Sequence, residues 1–182
     1  MPVQAVSAGE VLLSVNVSDA GAVGPIDVLR STPPFTDAVL AAVRDWRFAP
    51  AEDALRKPMA SRVLVGAMFG PPSLNTPTVG EPPKDVAPAA ASLPWPAATT
   101  MPLYPPNARS AGAVLVETLV AATGKVVGVT VVRSAPPFDN PAMDAARAWS
   151  FRPPQAGGVP PNAYVYLIFV FRPPVVGPAP KK

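Results

Sequence analysis

An internal repeat constrains this chain more than any other feature of its sequence. Displacing the sequence by 103 positions lays Gly9 on Gly112, Val11-Leu12 on Val114-Leu115, Gly21 on Gly124 and Val23 on Val126. The same displacement lays Arg30-Ser31 on Arg133-Ser134 and Pro33-Pro34-Phe35 on Pro136-Pro137-Phe138. It also lays Arg44 on Arg147, and Trp46, Phe48 and Pro50 on Trp149, Phe151 and Pro153. After a one-residue gap, at a displacement of 102, Phe69-Gly70-Pro71-Pro72 meets Phe171-Arg172-Pro173-Pro174. Chance does not match two such motifs in one register. The chain carries two copies of a unit of roughly 65 residues, a size that is marginally stable alone.

Each copy reads as strand, strand, helix, strand. Residues 10–18 alternate, with Val11, Leu13, Val15 and Val17 on one face and Leu12, Ser14, Asn16 and Ser18 on the other, the pattern of a strand with one face buried. Asp19-Ala20-Gly21 turns the chain and Val23–Arg30 returns; in the second copy the hairpin is Ala113–Ala121, Thr123-Gly124 and Val126–Arg133. Ala142, Met143, Ala146 and Trp149 recur at helical steps behind Asn140, a good N-cap, and Pro141. Val39, Val43 and Trp46 do the same in the first copy, and Pro50 and Pro153 forbid further helix. Arg62–Phe69 and Tyr164–Phe171 close the units as last strands. The expected fold class is α+β: two tandem β-β-α-β units, each with one helix packed on a three-stranded antiparallel sheet. Trp46/Phe48 and Trp149/Phe151 are expected to be core anchors. Gly21 and Gly124 are expected to be positive-φ turns and not phosphate loops.

The units fall at residues 1–70 and 103–174, separated by a linker at 71–102 and followed by a Pro/Lys tail at 175–182. The linker holds nine of the 28 prolines and six alanines with three charges, so it reads as a semi-rigid spacer unable to close a hydrogen-bonded ladder. With no Cys and no His, thiol nucleophiles, disulfides, histidine-ligated metals and Ser-His-Asp triads are excluded. Asp139 and Asp144 lie five apart, off a common helix face, and are no catalytic pair; Asp139 reads as a helix N-terminal anion. No enzyme, cofactor or metal is expected. Residues 103–182 carry eight Lys/Arg against three Asp/Glu, but singly rather than on one helix, which argues against nucleic acid. No apolar run approaches the roughly 20 residues of a transmembrane helix.

The second copy resembles the C-terminal domain of the TonB family, the energy transducers of Gram-negative outer-membrane transport. The resemblance is carried by Tyr104-Pro105, Ala108-Arg109, Gly124-Lys125-Val126, Val131-Val132-Arg133-Ser134, Asp139, Ala142, Ala145-Ala146 and Trp149-x-Phe151-x-Pro153. It covers residues 103–172 well and 9–70 moderately, and the Pro/Ala-rich segment resembles the periplasm-spanning part of that family. The first copy lacks the Tyr-Pro lead-in. The resemblance implies a periplasmic protein, anchored in the inner membrane in complete family members, that contacts an outer-membrane receptor peptide. Inner-membrane motor proteins enter as partners only with an N-terminal anchor, which this sequence does not show.

In the family a receptor peptide is taken to add to a sheet edge, and here the last strand of the second unit, Tyr164, Val165, Tyr166, Leu167, Ile168, Phe169 and Val170, is the expected partner-binding strand. Val165, Leu167, Phe169 and Phe171 should face the helix, which leaves Tyr164, Tyr166, Ile168 and Val170 as an unusually apolar opposite face. Roughly five added hydrogen bonds at about 0.5–1.5 kcal/mol each nearly cancel the ordering cost of five residues, so side chains must decide affinity. The alternative is that this face packs permanently on the other unit or on a second chain, giving a structural tandem or a domain-swapped homodimer without a transport role.

Overall fold

The computed structural model describes residues 8–71, 79–80, 92–153 and 162–174. The first unit runs β1 (Gly9–Val17), β2 (Val23–Arg30), α1 (Phe35–Arg44), a small hairpin β3 (Ala51–Glu52) and β4 (Pro58–Met59), then β5 (Ser61–Phe69). After β6 (Val79–Gly80) and β7 (Trp95–Thr100), the second unit runs β8 (Gly112–Ala121), β9 (Val126–Arg133), α2 (Asp139–Ala148), β10 (Ser150–Arg152) and β11 (Asn162–Phe171). The turn glycines Gly21 and Gly124 sit at φ +75° and +82°, where an L side chain is strained. Helix α2 starts two residues earlier than its composition suggested, at Asp139 with Phe138 in the N-cap place expected for Asn140. The Asp139 carboxylate accepts the Ala135 N–H at 2.8 Å and the Ser134 hydroxyl, which fixes the chain entering the helix.

The expectation of two separate three-stranded sheets is corrected by the strand order. One six-stranded sheet runs β2-β1-β5-β11-β8-β9. Every neighbouring pair is antiparallel except the central one: β5 and β11 run parallel, from Val165 opposite Leu64 to Val170 opposite Phe69. The two last strands thus satisfy each other's edge. The Gly70 N–H extends the ladder to the Val170 carbonyl at 3.2 Å, and Arg172 Nε donates to the Gly70 carbonyl at 2.8 Å.

Parallel pairing relates the units by a rotation about the strand direction, which exchanges the faces of the sheet. The helices therefore cover opposite faces, and β5 and β11 are buried between them. Leu64 and Met68 share the α2-side core with Val165, Leu167, Phe169, Ala142 and Trp149. Val65 and Ala67 share the α1-side core with Val39, Val43 and Val170, with Tyr166 and Ile168 packed against it.

Strand β1 was expected to bury one face only, yet Leu12 and Ser14 are as fully buried as Val11 and Val15. Leu12 takes cover from the supposed spacer. Strand β7 pairs antiparallel with β10, and Trp95, 2% exposed, packs on Leu12 beside half-buried Leu29. The average composition of the segment hides Leu93 and Trp95, which give it apolar surface to bury although prolines flank them. Residues 72–78 and 81–91 of the linker and the tail at 175–182 lie outside the described residues.

Candidate functional site

The expected partner-binding strand is β11, and the structure gives it no exposed edge. Residues Asn162–Phe171 pair with β8 on one flank, Tyr164 opposite Leu119 and Tyr166 opposite Glu117. Residues Val165–Val170 pair with β5 on the other. A peptide cannot add to Tyr164, Val165, Tyr166, Leu167, Ile168, Phe169 and Val170 while both ladders are closed, so strand addition there is corrected. The side-chain assignment fares better. Val165, Leu167 and Phe169 are fully buried toward α2, as alternation required. Tyr166, Ile168 and Val170 face the α1 side and pack on the first unit, the alternative that the sequence left open. Tyr164 alone of the seven is exposed, at 51%.

The outer edges of the sheet are β2 and β9. Strand β2 contains Gly24 and Pro25, and its pairing with β1 slips between Leu12 and Leu13 and between Val15 and Val17. A proline and irregular register blunt an edge. Strand β9 slips in register at the equivalent places, between Leu115 and Val116 and between Leu119 and Val120, but has no proline and leaves Val127 and Val132 exposed.

A groove of about 370 Å³ opens on the α1 side, between the segment that leaves α1 and the back of the second unit. Trp46, Arg47, Phe48 and Ala49 form one wall; Leu115, Glu117, Val132 and Tyr166 form the floor and the other wall. Tyr166 meets Phe48 edge-on at 5.0 Å between centroids and Trp46 at 6.5 Å, and its hydroxyl donates to Glu117 Oε2 at 2.8 Å. Burial, then the hydrogen bond and charge of Glu117, hold the Tyr166 phenol well above its ordinary pKa, so it stays a neutral donor.

The model of the C-terminal domain of Gram-negative bacterial TonB proteins matches residues 4–70 and again residues 100–173. The chain belongs to this family. Comparison with curated proteins finds no match, nor does comparison with solved structures. Membership makes each unit a TonB-type domain, from a family tied to transporter-linked uptake, periplasmic in general and interacting with outer-membrane receptors in general. Among the described residues no helix is long and apolar enough to cross a membrane, and no three acidic side chains converge as metal ligands would.

The two TonB-type units differ where the groove lies. Trp149 and Phe151 are 2% and 4% exposed, as core anchors should be, whereas Trp46 and Phe48 are only half-buried and line the groove. Sequence reasoning treated both pairs alike because the repeat aligns them. The signal it passed over was Trp95: the second unit has this aromatic ahead of its first strand, and the described residues of the first unit offer no equivalent.

Proposed function

We propose that this chain is a non-enzymatic, periplasm-facing protein-binding module of transporter-linked uptake, in which two TonB-type domains act as one self-paired body. Supporting this reading is the family match over both units, joined in one sheet through β5 and β11. The pairing changes how such a module meets an outer-membrane transporter. An extended receptor peptide approaches surfaces outside β11, because opening the central ladder exposes strands buried on both faces.

The decisive measurement is titration of the isotope-labelled full chain with short extended peptides from transporter N-termini. Micromolar to sub-millimolar binding that leaves the amides of β5 and β11 in place is the expected result. Binding that instead displaces those amides would restore strand addition at the last strand. A second reading, a structural tandem without a transport role, is favoured by the same β5–β11 pairing; it predicts no binding of any such peptide up to millimolar concentration.

A further inference from the structure

The two halves of the molecule are built alike but are not equally covered. On the second unit, β7 lies along β10 with Trp95 opposite Arg152, Pro96 opposite Phe151 and Ala98 opposite Ser150. Trp95 is buried on Leu12 beside Leu29, and the Trp149 indole N–H donates to the Thr100 carbonyl at 3.0 Å. The repeat names the counterpart of each group: Leu115 for Leu12, Val132 for Leu29, Trp46 for Trp149, Phe48 for Phe151, and residues 47–49 for β10. Leu115, Val132, Trp46 and Phe48 all line the groove.

The backbone frame repeats as well. The Phe48 N–H donates to the Gly21 carbonyl at 2.9 Å as the Phe151 N–H donates to that of Gly124 at 2.8 Å. Arg47 bridges to Ala22 as Ser150 bridges to Lys125. What the first unit lacks, among the described residues, is the visitor. Among the described residues no strand lies along 47–49 in the place of β7 and no acceptor meets the Trp46 indole N–H.

We propose that this groove takes an extended segment of a partner protein, whose backbone adds antiparallel to residues 47–49 and whose aromatic side chain enters between Leu115 and Val132. The chemistry of that segment is read from the occupied copy: an aromatic residue followed by proline or small residues, as in Trp95-Pro96-Ala97-Ala98. At about 370 Å³ the groove sits at the small end of ligand sites, room for one aromatic side chain with its flanking backbone and too little for a helix. Glu117 stands where the first unit has Ser14, so an acidic residue is disfavoured on the floor. The proposal rests on the repeat and not on the transport reading.

The probe is a capped peptide with the sequence of residues 92–101, titrated into the labelled full chain. The Trp46 indole N–H signal is expected to shift together with the amides of Arg47, Phe48, Ala49 and Val132. Replacing the peptide's tryptophan by alanine should weaken binding about tenfold or more. Val132→Arg in the protein, at a side chain 54% exposed, should abolish binding without moving the unfolding midpoint. Three results overturn the proposal: no shift at 46–49 up to millimolar peptide, shifts confined to Trp149 and β10 (exchange with the resident β7), or sedimentation showing that a second copy of the chain fills the groove. Binding of this peptide alongside failure of every transporter peptide would sink the transport reading and leave the groove standing.

Discussion

At the residue scale the two copies share a small set of tight contacts. Gly9 and Gly112 let Phe35 and Phe138 lie against the start of each first strand; a Cβ at either glycine would come within 2.4 Å of the ring. The rings in turn stack on Phe69 and Phe171, with centroids 4.1 and 4.6 Å apart. Gly124 combines positive φ with a Cβ position 1.8 Å from the Phe151 carbonyl oxygen. Gly124→Ala should therefore lower the stability in urea by on the order of 2–4 kcal/mol. Glu10 offers a pH test. Burial raises its pKa, and its ion pair with Arg30 at 2.6 Å only partly opposes this. The folded chain then holds this proton more tightly than the unfolded chain, so Glu10's contribution is present at low pH and is lost as pH rises through its raised folded value. In Glu10→Gln that loss disappears, and the melting temperature of the variant relative to the parent should rise between pH 4 and pH 7. A difference that fell over this range would mean that Arg30 outweighs burial.

At the scale of elements, β7 is a short strand whose weight rests on one residue. Trp95 covers Leu12, and Trp149 and β10 hold its backbone. Trp95→Ala should cost about 3–5 kcal/mol, the usual range for emptying a buried aromatic site. Hydrogen exchange should quicken first in β7 and β10 and leave β11 protected; equal acceleration throughout would mean that β7 is integral to the sheet's cooperativity. Strand β5 depends on a small residue at its centre. A Cβ on Gly66 would meet Leu167 at 3.1 Å and Leu12 at 3.4 Å, so Gly66 marks close packing between the units.

At the scale of the whole molecule, the β5–β11 ladder turns two marginal units into one body with a shared core. Urea unfolding of the full chain should show a single transition, with the same midpoint by tryptophan fluorescence and by far-ultraviolet circular dichroism. A separate early transition for either unit would mean that the ladder is energetically idle. The same ladder redistributes the surfaces open to a partner: it closes the last strands and leaves β2, β9 and the Trp46–Ala49 groove outward.

The repeat, the alternation in Val11–Val17, the helical stripe ending at Trp149 and the two turn glycines were legible in the sequence, because each depends on residues close together in the chain. The apolar Tyr166-x-Ile168-x-Val170 face showed that something must cover it. It did not show what, since water is excluded equally well by a visiting peptide, a second chain or the neighbouring unit. Only the tertiary structure decided that β5 is the partner, that the helices take opposite faces, and that Trp95 covers one copy while Trp46 stands open in the other. Backbone ladders carry no residue code of their own, so a strand's apolar pattern specifies burial, and the fold alone assigns the neighbour.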